Sequence, residues 1–326
     1  MRGIPPSWQR ASHPRGFADR RDALRGALPL LLLLATLAPI GAVRSQQLEP
    51  RAYSPAPVGL NMIILGDAVS SGDVAFDPSI PITNGHASLN VAAAGYLQTV
   101  DLFGRYGNVG FVVPYVRGDV NGLYLGQYAQ AHRSAFADPS IRLSVNLYGA
   151  PAMTPREFAA YRETTVLGAS LVVVAPFGSY DSTKLLNIGS NRWGFKPELG
   201  LSHAIGRWVL EADLAVWLYT DNTNFRNGNV RTQDPIGALQ LHAIYTIRPR
   251  LWIAVDSTYY NGGRTTINGQ RNFDLQQNSR AGVTLAVPVG RQQAVKIAFS
   301  DGARTSIGGD FRTVGISYQY GWIAKP

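Results

Sequence analysis

Apolar and polar residues alternate with a period of two through most of the chain. In the segment 140–148, the aliphatic residues fall on one face and Arg142 falls on the other with the remaining polar residues. The segment 208–220 repeats the pattern, with Glu211 and Asp213 opposite a row of leucines. No segment beyond the N-terminal region keeps a helical period over three turns with helix-type caps. The pattern therefore predicts an all-β protein.

Twelve such segments are predicted to form strands, because turn residues (Gly, Pro, Asn and Asp) bound them. The predicted strands are residues 60–67, 88–102, 108–119, 140–148, 165–177, 193–203, 208–220, 237–247, 251–260, 280–287, 294–300 and 311–322. An even number of strands allows an antiparallel sheet to close on itself with both termini on the same side.

The connections between these strands alternate in length. Tight turns are predicted at 205–207, 248–250 and 289–292, and long connections rich in Asn, Gly and Asp at 179–191, 221–235, 261–278 and 301–310. Short turns on one side and long loops on the other are typical of outer-membrane barrels. A soluble sandwich has no reason to separate its loops in this way. The count of twelve strands then places both termini on the periplasmic side.

One connection, residues 149–162, is long although the alternation makes it periplasmic. It contains Thr154-Pro155-Arg156-Glu157, which has the form of a capping box with proline at the first helical position. We predict a short helix over 155–161 that lies across the periplasmic mouth. The simpler interpretation is a structured turn without a role in gating.

The last predicted strand ends in aromatic residues on its apolar face, as strands do where they leave hydrocarbon for a membrane interface. Its residues Gly315, Tyr318 and Tyr320 fit the C-terminal pattern by which outer-membrane barrels are recognised for assembly. We therefore predict that Gly315, Tyr318 and Tyr320 form an assembly signal. The chain departs from the pattern in one respect: such proteins usually end on an aromatic residue, whereas this chain continues to Lys325-Pro326.

The N-terminus has the features of a targeting segment. Several arginines precede an apolar run from Ala27 to about Val43, and small residues follow at the predicted cleavage site. The run contains two prolines and is short for a membrane-spanning helix, so we predict that 1–45 is a signal peptide rather than an anchor. The next segment, 46–59, is rich in proline and unsuited to a central strand. Whether it enters the barrel is left open.

Composition excludes several classes of function. Removal of residues 1–45 changes 30 basic and 21 acidic residues to 23 and 19, so the formal charge falls from +9 to +4 and gives no reason to expect nucleic-acid binding. The absence of cysteine excludes thiolate catalysis and cysteine-ligated metals. Ser202 and His203 are adjacent in a strand and point to opposite faces, so they cannot pair directly as the Ser–His arrangement of an outer-membrane lipase requires. Neither H-E-x-x-H nor G-x-S-x-G occurs. We predict no enzyme activity, no cofactor and no metal.

A membrane barrel turns its apolar face to lipid and its polar face inward, because lipid offers no partners to unpaired backbone groups. The predicted lumen-lining residues are Arg142, Lys196, Glu198, Glu211, Asp213, Trp217, Tyr219, Asp256, Tyr260, Arg280 and Lys296. Four cations and four anions suggest cross-strand ion pairs, which either shape a constriction or only stiffen the wall. The three aromatic residues either stack on small aromatic solutes or pack within the barrel.

Two stretches carry a resemblance to a known family. One is residues 48–61, and the other runs from Pro176-Phe177-Gly178-Ser179-Tyr180-Asp181 through Leu186–Trp193 to Lys196-Pro197-Glu198. Across the mature chain the protein resembles the outer-membrane transporters named after the MetA pathway of phenol degradation. The resemblance implies a barrel and passage of solutes, and it does not specify phenol as the substrate.

The sequence thus predicts one closed antiparallel up-and-down barrel of about 12 strands over residues 60–326, located in the bacterial outer membrane. The expected function is a channel for passive passage of small solutes, aromatic or hydrophobic ones included. The expected partners are outer-membrane lipid, the barrel-assembly machinery and a small-molecule solute, with the protein a monomer. One alternative is a non-conducting structural or surface-interaction barrel with loops 220–234 and 261–278 folded inward. Another is a soluble exported β-sandwich.

Overall fold

A computed structural model describes residues 48–75, 82–184 and 187–323. The predicted signal peptide, Leu186 of the family-like stretch and Lys325-Pro326 lie outside these residues. In the described part of the chain, no helix is both long and apolar enough to cross a bilayer.

The described residues form mostly strands, with one short α-helix. The strands are β1 Leu60–Ala75, β2 Ile82–Leu102, β3 Arg105–Tyr124, β4 Gln127–Phe136, β5 Ser140–Tyr148, β6 Thr165–Val174, β7 Gly194–Ile205, β8 Trp208–Tyr219, β9 Asn222–Phe225, β10 Asn229–Gln233, β11 Ile236–Arg248, β12 Leu251–Gly262, β13 Thr265–Ile267, β14 Gln270–Arg271, β15 Gln276–Pro288, β16 Gln293–Arg304 and β17 Gly308–Ile323. The helix, α1, spans Pro155–Ala160.

The main sheet closes because its first and last strands pair. β1 runs antiparallel to β17 from Leu60 opposite Ile323 to Ala75 opposite Gly308. Around the wall the order is β1, β2, β3, β5, β6, β7, β8, β11, β12, β15, β16 and β17. These are the twelve predicted strands, so the predicted closed antiparallel barrel is confirmed and the two-layer sandwich is wrong. Closure leaves no unpaired edge within the membrane.

The outward face of the wall is mostly apolar, with Asp67 of β1 an exception between the exposed Leu65 and Val69. On β8, for example, Leu214 is 63 % exposed whereas its neighbour Asp213 is 2 % exposed. Each such leucine would cost roughly 1.5–3 kcal/mol if it faced water instead of an apolar phase. Aromatic residues flank this belt near both ends: Tyr96 contacts Trp322, and Phe177 meets Trp193 edge to face. The belt and its aromatic rims identify an outer-membrane barrel.

Several strands extend further than predicted on the outer side. β3 continues to Tyr124, turns at Leu125-Gly126 and returns as β4, a strand that was not predicted. β4 leads into β5 through Ala137–Pro139. The predicted loop 301–310 is likewise mostly strand. These extensions project beyond the lipid, so they lack the apolar face that identifies a membrane strand from its sequence.

The long loops on the outer side contain structure of their own. The predicted loops 221–235 and 261–278 form β9, β10, β13 and β14, which pair as a separate four-stranded sheet. β10 joins the two loops through pairs such as Arg231 opposite Ile267. Their polar, Asn-rich sequences pair mostly through backbone groups, which explains why they resemble irregular loops in sequence.

The predicted periplasmic helix is confirmed as α1, one residue shorter than expected. The carboxylate of Glu157 accepts the Thr154 N–H at 2.8 Å, and Thr154 Oγ1 accepts the Glu157 N–H at 3.4 Å, which completes the capping box. Tyr161 ends the helix in an extended conformation, and its hydroxyl donates to the Gly149 carbonyl at 2.7 Å.

Candidate functional site

Residues 48–59, the inner segment, lie inside the barrel. Tyr53 is 2 % exposed and packs with Tyr106 and Val166 of the wall. The segment reaches β1 from the periplasmic end, where Val58 N–H donates to the Met153 carbonyl at 2.8 Å. The structure therefore decides the question that the sequence left open: the described part of the proline-rich segment, residues 48–59, occupies the lumen.

The inner segment does not become a strand because its sequence prevents it. Pro50, Pro55 and Pro57 have no N–H to give to a ladder. Arg51 has a φ of 66°, and Ser54 N–H donates back to its carbonyl at 3.3 Å, so the chain makes a tight turn. A segment of this kind is held by contacts that involve side chains, its own or those of the wall, rather than by a backbone ladder.

Tyr53 is the most tightly enclosed of these side chains. Its ring lies between Gly168 of β6 and Gly200 of β7, where a Cβ on either glycine would overlap the ring. The Tyr53 hydroxyl donates to Glu198 Oε1 at 2.9 Å, and Asn146 Nδ2 donates to the Tyr53 carbonyl at 2.9 Å. Two inward-facing glycines are therefore the surface on which this ring rests.

Glu49 completes a cluster of charges on one side of the lumen. Its carboxylate forms an ion pair with Arg142 and lies 3.8 Å from Lys196 Nζ. Glu198 pairs with the same two cations, each at 3.0 Å. Two carboxylates, one from the wall and one from the inner segment, thus balance two cations.

Arg51 makes the corresponding contacts on the other side. Its N–H donates to Glu211 Oε2 at 2.7 Å, and its Nη2 donates to Thr246 Oγ1 at 3.1 Å. Its guanidinium lies over the Trp252 ring, 5.6 Å from the centroid. Because Glu49 reaches β5 and β7 while Arg51 reaches β8, β11 and β12, the inner segment spans the width of the lumen.

His242 is buried in the wall between two acids, and the sequence analysis did not select it. Its Nδ1 lies 2.6 Å from Asp256 Oδ1, and its Nε2 lies 3.8 Å from Asp213 Oδ2. Thr284 Oγ1 donates to the second oxygen of Asp256 at 2.7 Å. His242 stands opposite Asp256 in the pairing of β11 with β12. The period-two alternation of β11, if used to assign its faces, would have found it.

The lumen is layered along its axis. On β8, Val209 lies near the periplasmic turn, Glu211 and Asp213 follow, and Trp217 lies near the outer end. The periplasmic apolar layer consists of Val209, Ile244, Trp252, Ala254 and Ala286. The outer apolar layer consists of Val174, Ala215, Trp217, Ile236, Ala238 and Tyr260. Glu211 and Asp213 lie between the two layers, at the level that Arg51 of the inner segment reaches.

The structure places all the predicted lumen-lining residues on the inner side of the wall, but it does not bring them all together. One cross-strand pair expected among them occurs, between Glu198 of β7 and Arg142 of β5, and Glu198 also pairs with Lys196 of its own strand. Elsewhere this expectation is wrong. Arg280 donates to Ser300 Oγ and to the Phe311 carbonyl, both at 3.0 Å. The remaining residues take these partners: Glu211 the Arg51 N–H, Asp213 and Asp256 the His242 ring, Lys296 the face of Trp252, and Tyr219 the ring of Trp217 and the guanidinium of Arg192.

These differences have a physical reason. The sequence pattern assigns a face to each wall residue, but it does not contain the inner segment, whose Glu49 and Arg51 compete for the same partners. Tyr260 and Trp217 pack with apolar neighbours in the outer layer. In the predicted assembly signal, Tyr318 is 37 % exposed toward lipid and Tyr320 stacks on Trp322 at 5.7 Å. Gly315 lies opposite Ala68, and the assembly role stays a prediction.

Comparison with known proteins identifies the family of this chain. Residues 67–315 match the family described as "Putative MetA-pathway of phenol degradation". The chain belongs to this family. The COG4313 outer membrane channel from Pseudomonas putida F1 is similar in structure, with a TM-score of 0.72 and 20 % identity over 85 % of this chain and 100 % of that one.

A weaker likeness, which carries no argument about function, is to the transport unit of the autotransporter AIDA-I from Escherichia coli. Its TM-score is 0.49, with 11 % identity over 90 % of this chain and 97 % of that one. A search of curated proteins finds no match.

In this member of the phenol-degradation family, the stretch that carries the sequence resemblance is organised by a buried acid. Asp138 Oδ1 accepts the Gly178 N–H at 2.8 Å, and Oδ2 accepts the N–H and hydroxyl of Ser190 at 2.8 and 2.7 Å. The two halves of the outer loop that follows β6 are thereby fixed to the chain between β4 and β5. Sequence reasoning missed Asp138 because it lies between two predicted strands, where the alternation assigns no face.

Proposed function

We propose that this protein is a channel through which small solutes, aromatic and hydrophobic ones included, cross the outer membrane passively. In this proposal the inner segment is the constriction that controls passage. The observation that carries it is the manner of attachment: among the described residues, 48–57 have no backbone–backbone hydrogen bond to the wall. Side-chain contacts alone hold that stretch, so it can move without disturbing the twelve-stranded ladder.

The layered lumen supports this choice of solutes. A barrel of twelve strands is intermediate in diameter between barrels filled by their own side chains and barrels that form wide aqueous pores. Apolar layers built around Trp217 and Trp252 stand on either side of the charged cluster. A solute with an aromatic or aliphatic body finds apolar surface on both sides of the constriction. The similar barrel from Pseudomonas putida F1 is described as an outer membrane channel, which agrees with the proposal.

Liposome swelling with the purified protein tests the proposal. We would compare the wild type with a deletion of residues 48–57 and with Glu49→Ala, using a small sugar and benzenesulfonate as solutes. We expect leakage above that of empty liposomes, with faster swelling for both variants. Asp301→Asn, which removes an exposed ion pair with Arg312 on the outside of the barrel, serves as the matched control and leaves the rate unchanged.

The alternative is a non-conducting structural or surface-interaction barrel. The filled lumen is the observation that favours it. If the wild type, the deletion and Glu49→Ala all fold and none leaks more than empty liposomes, the channel proposal fails and this alternative replaces it.

A further inference from the structure

Three arginines gather at the outer mouth, outside the predicted set of lumen residues. Arg192 lies two residues before β7 and is 7 % exposed, and its Nη2 donates to Gln233 of β10. Arg231 precedes Gln233 by two positions on the same strand, so both side chains point to the same side. Arg226 and Arg231 lie over one ring, that of Phe225, with their Cζ atoms 4.9 and 5.2 Å from its centroid.

Aromatic rings cover the faces of these guanidinium groups and leave N–H edges free. Arg192 Cζ lies 4.1 Å above the Tyr219 ring. In the described part of the protein, the buried Arg192 Nη1 and Arg226 Nε have no hydrogen-bond partner. A buried guanidinium N–H without an acceptor costs free energy. An acceptor from outside the chain would remove that cost.

The nearby carboxylates do not neutralise the cluster. Asp138 uses its oxygens for Gly178 and Ser190, as described above, and Asp274 accepts the N–H and hydroxyl of Thr265 at 2.8 and 2.6 Å. Within the described residues, no carboxylate oxygen lies within 4.0 Å of the guanidinium nitrogens of Arg192, Arg226 or Arg231. Burial lowers the pKa of Arg192, and burial together with the charge of Arg192 lowers the pKa of Arg231.

Aromatic surface lies directly below Arg192. Tyr219 and Trp217 are two positions apart on the inner face of β8, and their rings stack at 6.1 Å with an interplanar angle of 5°. Trp217 belongs to the outer apolar layer with Tyr260. Cationic N–H groups above and aromatic faces below match a molecule that has an anionic group on one end of a ring.

We propose that Arg192, Arg226 and Arg231 form a binding site at the outer mouth for the carboxylate of a small aromatic acid, whose ring packs toward Trp217 and Tyr260. The carboxylate accepts hydrogen bonds from the free guanidinium edges. Binding itself requires no passage; only the role of this site in uptake rests on the proposed function.

Calorimetric titration of the full-length protein in detergent with benzoate tests the proposal, with benzamide as the uncharged isostere. We expect benzoate to bind at least about tenfold more tightly than benzamide, because charge-assisted hydrogen bonds are lost in the amide. Arg231→Gln should weaken benzoate binding at least about tenfold and leave benzamide binding unchanged. The matched control, Arg312→Gln, removes an exposed arginine on the outside of the barrel and should have no effect.

The assignment would be overturned if benzoate and benzamide bind with equal affinity. It would also be overturned if Arg231→Gln and Arg312→Gln lose equal amounts of benzoate affinity. If Arg231→Gln does not fold, protection of the wild-type arginines from phenylglyoxal by benzoate, mapped by mass spectrometry, replaces it. Protection confined to Arg192, Arg226 and Arg231 supports the site, and uniform labelling refutes it. Titration in detergent measures binding and not transport, so failure of the binding-site proposal can be distinguished from failure of the channel proposal.

Discussion

The hydroxyl of Tyr53 donates a hydrogen bond of 2.9 Å to Glu198, a residue 145 positions further along the chain. Glu198 is also the acid that pairs with Arg142 and Lys196. One wall carboxylate of β7 therefore links the inner segment to Arg142 of β5 and to Lys196 of its own strand. This link makes Tyr53 the natural place to separate the packing of the inner segment from its polar contacts.

Replacement of Tyr53 should release the inner segment in two distinguishable steps. Tyr53→Phe keeps the ring against its two glycines and loses the hydrogen bond. We expect this loss to cost about 1 kcal/mol of the free energy that holds the inner segment in the lumen. Tyr53→Ala also loses the ring, for a total of about 3–5 kcal/mol. Protease cleavage of the N-terminal segment in the folded barrel measures both. If the two variants are cleaved at the wild-type rate, Tyr53 does not hold the segment.

Adding a methyl group to the wall, against the Tyr53 ring, should also release the inner segment. In Gly200→Ala the new Cβ overlaps the Tyr53 ring, and we expect overpacking to cost about 1–3 kcal/mol and to expose the inner segment to protease. Gly237→Ala is the matched control, because the nearest atom to its Cβ is the Asn261 carbonyl oxygen at 3.7 Å. Comparable cleavage of the two variants would contradict a specific seat for Tyr53.

Asp138 should control the order of the outer loop. Asp138→Asn removes the charge that accepts three hydrogen bonds from Gly178 and Ser190. Hydrogen bonds to a charged group contribute about 1.5–3 kcal/mol each. We expect faster hydrogen–deuterium exchange at the Gly178 and Ser190 amides, measured by mass spectrometry, with exchange in β11 and β12 unchanged. Exchange that rises throughout the barrel would instead indicate a general loss of stability.

The periplasmic helix should weaken in acid. The Thr154 N–H and hydroxyl bind the Glu157 carboxylate and hold its pKa below the usual value of 4.5. Because the ionised form is the one that caps the helix, this contribution is complete above pH 4.5 and is lost as pH falls through the lowered pKa. The NMR shift of the Thr154 amide should report the loss. Glu157→Gln has no carboxylate to titrate, so a shift that persists in this variant would exclude the capping box as its cause.

The wall of the barrel was predictable because membrane strands obey one local rule. Alternation assigned Leu214 to lipid and Asp213 to the lumen, and the structure agrees. Where the rule has nothing to act on, prediction failed: β4 and the sheet formed by β9, β10, β13 and β14 lie outside the lipid, where no face must be apolar. The helix α1 was predictable for another local reason, since a capping box lies within four consecutive residues.

The sequence by itself determined the number of wall strands, the face to which each side chain points and the presence of the capped helix, because each depends on neighbours one to four positions away. Only the tertiary structure decided which inward residues meet. Glu49, Tyr53 and Arg51 reach their partners across 93 to 160 positions, and the cluster at the outer mouth joins the loop before β7 to β10. Such contacts depend on which distant strands the closed barrel brings face to face and on the path of a proline-rich segment through the lumen, and neither leaves a periodic signal along the chain.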